Sequence, residues 1–108
     1  MNSGLTLEAE RQFQAALQAN PSSALAHAGL AQVREHSGDL DAARKEAQQS
    51  LSLAPNVPAH LVLARVDLAS NQLGTAATEV AQALKLEPAN ANARGMKLAL
   101  ESRGQQVP

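Results

Sequence analysis

Residues Ala24–Pro55 read ALAHAGLAQVREHSGDLDAARKEAQQSLSLAP, and this stretch sets the spacing of the whole chain. Just ahead of it, either Ser22 or Ser23 can cap a helix by accepting a hydrogen bond from a free N–H of the first turn. His27, Leu30, Ala31 and Arg34 then fall on one face of a helix that runs to about Ser37. Gly38-Asp39 interrupts the period with two turn-forming residues. Leu40, Ala43, Ala47, Ser50 and Leu51 share the inner face of a second helix, from about Leu40 to Leu53, which Pro55 stops because it lacks an N–H and crowds the preceding turn. The pattern predicts two antiparallel helices joined as a hairpin.

The same grammar restarts further on. Pro58 is expected at the first helical position with Val57 extended before it. A helix then runs to about Ser70, Asn71-Gln72 stand where Gly38-Asp39 stood, and another helix runs from Leu73 to Leu86 before Pro88. Aligning residues 24–56 with 57–89 pairs 33 positions, of which 13 are identical; roughly three are expected by chance from so Ala- and Leu-rich a chain. The identities include His27 with His60, Leu30 with Leu63, Ala43 with Ala76 and Pro55 with Pro88, so the repeat is real. Upstream, a polar lead (Met1 to Gly4) precedes a helix from about Leu5 to Ala19, with Ala9, Phe13, Ala16 and Leu17 on one face and Pro21 as its stop. Downstream, a sixth helix spans about Ala91 to Arg103 and gives way to a polar tail at Gly104. The expected division of the single domain, 1–108, is a half repeat (5–21), two repeats (24–57 and 58–90), and a half repeat or capping helix (91–104).

Composition agrees and narrows the function. The chain has 108 residues, of which 23 are Ala and 16 Leu, with Phe13 the one aromatic, so an all-α fold is expected over sheet. Nine Lys and Arg against ten Asp and Glu leave a formal charge of −1, without the cationic excess that phosphate backbones attract or aromatics for stacking bases, so no nucleic acid partner is expected. No run approaches the roughly 18 apolar residues of a membrane helix, and the N-terminus lacks a signal-peptide pattern; no membrane partner is expected. With no cysteine, thiolate chemistry and zinc-thiolate sites are out, and the compartment stays open, a soluble cytoplasmic chain being the first expectation. No nucleophile is set beside a base and there is no glycine-rich phosphate loop, so the chain is read as no enzyme, with no cofactor. His27 and His60 stand at equivalent places but without a third ligand, and read as structural residues rather than a metal site. His36 reads as a solvated helix-end residue, Phe13 as core, and Arg44-Lys45-Glu46 as a solvated outer face. Gly29, inside a helix, either admits a close-approaching ligand backbone or relieves crowding.

These residues resemble the tetratricopeptide repeat family, whose 34-residue unit is an antiparallel helix pair stacked into a right-handed superhelix. Leu30-Ala31 stand where the family has Leu-Gly, Gly38-Asp39-Leu40 where it has Gly-Asp-Tyr, and Ala43, Ala47, Ser50 and Pro55 at its small, aromatic, small and proline positions. The second unit matches through Leu63-Ala64, Leu73, Ala76, Val80, Ala83 and Pro88, and the first half-unit through Ala9, Phe13, Ala16 and Pro21. The departures are His27 and His60 at the usual bulky position, and Arg34 and Asp67 in place of Tyr.

The resemblance implies a non-catalytic scaffold that binds a peptide or protein segment in a concave groove lined by the first helix of each unit. The register points to Leu25, Ala28, Gln32 and Glu35, then Leu61, Val62, Arg65 and Leu68, then Arg94, Leu98 and Glu101. The helix carrying Leu61, Val62 and Leu68 is apolar almost all round, so these three are expected as surplus that floors the groove, with Arg65 and Arg94 on its walls. Ala28, Gln32, Val62 and Arg94 stand where a subset of the family clamps the carboxylate of chaperone tails with Lys and Asn, so that ligand is not expected. Two other readings stand beside the scaffold: a homo-oligomerisation module, with a homodimer as its simplest form, and a fragment of a larger repeat protein whose activity lies outside this chain.

Overall fold

The structure is a computed structural model that describes residues 3–108, with side chains from Thr6 onward. It consists of six helices: α1 (Ser3–Ala19), α2 (Ala24–His36), α3 (Leu40–Leu53), α4 (Val57–Ala69), α5 (Leu73–Leu86) and α6 (Ala91–Ser102). Of the expected polar lead, Met1 and Asn2 lie outside the described residues, and α1 begins at Ser3 rather than Leu5.

The helix starts are set by side-chain caps. Ser23, Asn56 and Asn90 each accept a hydrogen bond from the N–H three residues on, at 3.1, 2.9 and 2.9 Å, and so cap α2, α4 and α6. Because Asn56 takes the extended cap position, α4 begins at Val57, and Pro58 is its second helical residue rather than its first. The two hairpin turns solve one problem in two ways. Gly38 adopts a left-handed φ of 81° before Asp39 caps α3, and in the second unit Asn71 adopts φ 58° at the equivalent place. Asparagine tolerates that region better than other non-glycine residues, which is why the turn survives without glycine. Gln72 then starts α5 with no side-chain cap.

The closest packing is within the pairs α2/α3 and α4/α5, followed by α3 against α4, α1 against α2, and α2 against α4. This is an all-α stack of antiparallel pairs in which α3 is sandwiched between α2 and α4, α5 lies between α4 and α6, and the first helices α2 and α4 also touch. The core is built from small residues: Ala28, Ala31, Ala43, Ala47 and Ala59 with Val62, Leu63 and Val66 form one cluster. Ala64, Ala76, Ala77, Val80 and Leu100 form a second, and Val57, Leu61, Ala83 and Ala93 a third. Alanines at the crossing points let the helix backbones approach closely, and leucines and valines fill the remainder.

Candidate functional site

The three first helices α2, α4 and α6 begin after equivalent caps, so their residues can be compared by position. The second and ninth residues of α2, Leu25 and Gln32, are exposed, Leu25 at 67 %. In α4 the ninth and twelfth residues, Arg65 and Leu68, are half-buried. These four stay reachable on the first-helix side of the stack. Between them, Arg65 spans from α4 to α2 and grips Glu35 with two hydrogen bonds, Nε to Oε2 at 2.6 Å and Nη2 to Oε1 at 2.9 Å. A planar guanidinium held by both carboxylate oxygens is the most directional pairing available to these side chains.

The other six expected groove residues are placed elsewhere. Ala28 and Val62 are buried in the first core cluster, and Leu61, 5 % exposed, is buried with Val57, Ala83 and Ala93. They are not surplus: Val62 packs with Ala28, Ala31, Ala43 and Ala47 of the preceding unit, and Leu61 with Ala83 of α5 and Ala93 of α6. Leu68 itself is partly packed on the second cluster. Arg94 is the fourth residue of α6, the place His27 holds in α2 and His60 in α4, not the ninth place that Gln32 and Arg65 hold. With Leu84, Pro88, Lys97, Leu98 and Glu101 it lines an open cleft of about 550 Å³ at the α6 end of the stack.

His27 and His60 are each bound to the second helix of their own unit. His27 Nδ1 lies 3.1 Å from Glu46 Oε2 and its Nε2 3.1 Å from the Pro21 carbonyl oxygen, while His60 Nδ1 lies 3.0 Å from Glu79 Oε1. Each ring therefore ties a first helix to its own second helix, through a carboxylate partner that the residue spacing had not suggested. The signal was present: Glu46 and Glu79 recur at the same offset as His27 and His60. Among the described residues no group of three His, Cys, Asp or Glu side chains is placed to hold a metal ion.

Between units the Tyr position carries ion pairs instead. Arg34 Nη1 donates to Glu10 Oε1 of α1 at 2.6 Å. One unit later the polarity is inverted: Arg44 Nη1 of α3 lies 3.0 Å from Oδ1 of Asp67, which is 1 % exposed. That contact is one of charge, for neither Asp67 oxygen receives a hydrogen bond. Arg44 and Glu46 are thus packing residues, and of the expected solvated cluster Lys45 alone is exposed. Gly29 is decided as well. A Cβ there would lie 2.7 Å from Cδ1 of Phe13 and closer still to Cε1 and Cζ, so the glycine makes room for the half-buried ring rather than for a ligand backbone.

Among the described residues no helix is long and apolar enough to cross a membrane. A family model described as tetratricopeptide repeat matches residues 1–58, just over half of the chain. No curated protein matches it.

Proposed function

The chain belongs to the tetratricopeptide repeat family, whose repeats mediate protein–protein interaction without catalysis, and from that premise we propose that it is a scaffold binding an extended peptide or protein segment across the first helices α2 and α4. The observation that carries this reading is the run of reachable side chains that remains after the core is accounted for: Leu25, Gln32, the Glu35–Arg65 bridge and Leu68. It offers one exposed apolar contact, an amide able to pair with a peptide backbone, and a charge pair that fixes the spacing of two neighbouring helices. Such a surface suits a segment bound mainly by hydrogen bonds and one apolar anchor, since two of the three apolar side chains expected as a floor, Leu61 and Val62, are spent in the core.

The reading is tested with peptides selected from a displayed random library on the folded protein. Gln32→Arg and Leu25→Glu alter exposed positions and should weaken the selected peptides by roughly tenfold or more each while leaving helicity unchanged. Lys45→Glu, on the outer side of α3, should bind as the parent does. Peptides that ignore both groove substitutions, or that are lost on Lys45→Glu, would place binding on another surface.

A further inference from the structure

Resting on the reading of α2 and α4 as a peptide-binding face, we propose that the Glu35–Arg65 bridge selects the segment, taking an uncharged amide and rejecting a charged side chain. The bridge is reachable, its Glu35 and Arg65 side chains being 21 % and 37 % exposed. A guanidinium has five N–H groups, and Arg65 directs two of them, one each on Nε and Nη2, to Glu35. Its Nη1 makes no hydrogen bond to any of the described residues. Each Glu35 oxygen accepts one of the two bonds and keeps a lone pair for a further donor. Free donors and free acceptors thus stand side by side, and the two formal charges cancel.

The complement of that pattern is an amide. An extended backbone turns the N–H and C=O of one residue to the same side, as when two strand residues exchange both bonds, and a carboxamide side chain carries the same two groups. Either lets a carbonyl oxygen accept from Arg65 while an N–H donates to Glu35. A carboxylate cannot donate, and its second oxygen meets Glu35 as a like charge. An ammonium cannot accept, and it meets Arg65 in the same way; unpaired charge of this kind is what discriminates against a wrong partner. Displacing Glu35 or Arg65 is no escape, because the one left behind loses two charge-assisted hydrogen bonds. The flanking residues add no charge: Gln32, one turn before Glu35 on α2, is exposed, and Leu68, one turn after Arg65 on α4, is half-buried.

The test uses peptides from the displayed library, selected on the full chain and then synthesised singly. Those that lose binding on Gln32→Arg or Leu25→Glu cross the groove. In these, an ester in place of one backbone peptide group, or Ala in place of one Asn or Gln, should weaken binding roughly tenfold or more. The first result locates the amide in the backbone and the second in a side chain, and neither needs a variant of the protein. Asp or Lys at the residue so located should weaken binding to the parent chain by a similar factor. Glu35→Gln leaves Arg65 without its counter-charge, so Asp there should then bind better than Lys; Arg65→Gln should reverse that order. Circular dichroism checks the fold of each variant. Peptides that ignore both groove substitutions overturn the groove and this proposal together. Groove-dependent peptides that tolerate every ester and every Asn or Gln replacement, or whose charge preference is the same on the parent and on both bridge variants, overturn this proposal and leave the groove standing.

Discussion

At the sixth residue of the first helix, unit one has Gly29 and unit two has Val62; facing them from the preceding second helix are Phe13, whose ring fills the space above Gly29, and Ala47, which shares a core cluster with Val62. The large and small partners have changed sides. What the stack conserves at this contact is the summed volume across it, not the identity of either residue, as expected of an interior packed to crystal-like density. The eleventh residues differ in the same manner. Arg34 answers Glu10, and Asp67 answers Arg44 with the charges exchanged. The two pairs are unequal in depth, because Arg34 and Glu10 both reach solvent while Asp67 is closed off from it.

That inequality predicts the largest effect. Arg44→Met leaves Asp67 buried with no cation and should cost about 3–5 kcal/mol. Arg34→Met, at the half-exposed pair, should cost about 1 kcal/mol or less. Urea unfolding with an unchanged slope measures both, and equal losses would mean that burial does not separate the two interfaces. Adding Asp67→Leu to Arg44→Met should return most of the loss.

A smaller effect tests the exchanged volumes. Gly29→Val overfills the contact with Phe13 and should cost about 1–3 kcal/mol. In a Phe13→Ala background the same substitution should be close to neutral, since it recreates the Ala47–Val62 arrangement of the next unit. A penalty that persists without the ring would show that it comes from the helix backbone instead.

The smallest effect concerns the second helices. Asp39 caps α3, its Oδ1 accepting from the Ala42 N–H at 3.2 Å, whereas Gln72 gives α5 no cap. Gln72→Asp should therefore raise stability by about 0.5–1 kcal/mol, read as a higher Tm, and Asp39→Gln should lower it by a similar amount. A Gln72→Asp chain that melts with the parent would mean that the left-handed Asn71 before it prevents the cap from forming.

Much of the fold was legible because its signals are local. Proline at 21, 55 and 88, a serine cap ahead of α2, and small residues at the helix crossings act within a few residues of themselves, and the prolines recur at offsets of 34 and 33. The α3 and α5 boundaries match the expected ones, and the others shift by one or two residues where a cap or a frayed turn decides them. The candidate site was less legible. Leu61 and Val62 were read from a single helix wheel as surplus, but Val62 is buried with residues of α2 and α3 and Leu61 with Ala83 of α5 and Ala93 of α6, so both rest on contacts between units that a hairpin-by-hairpin reading does not contain. Arg94 was misplaced for a related reason. The spacing from Pro55 to Pro88 is 33 residues, but α6 starts 34 after α4, so a face carried forward with a period of 33 rotates by about one residue, or roughly 100°.

By itself, then, the amino-acid order determined that the chain is an array of helix pairs of this family, where each helix stops, and that His27 and His60 hold equivalent places. Those properties follow from backbone sterics and from a pattern repeated within the chain. Only the tertiary structure decided which first-helix side chains stay exposed, that each histidine answers a glutamate, that charge pairs of opposite polarity join successive units, and that Gly29 makes room for Phe13. Each of these depends on which surfaces meet across units, and burial is a property of both surfaces at once, so no single stretch could state it.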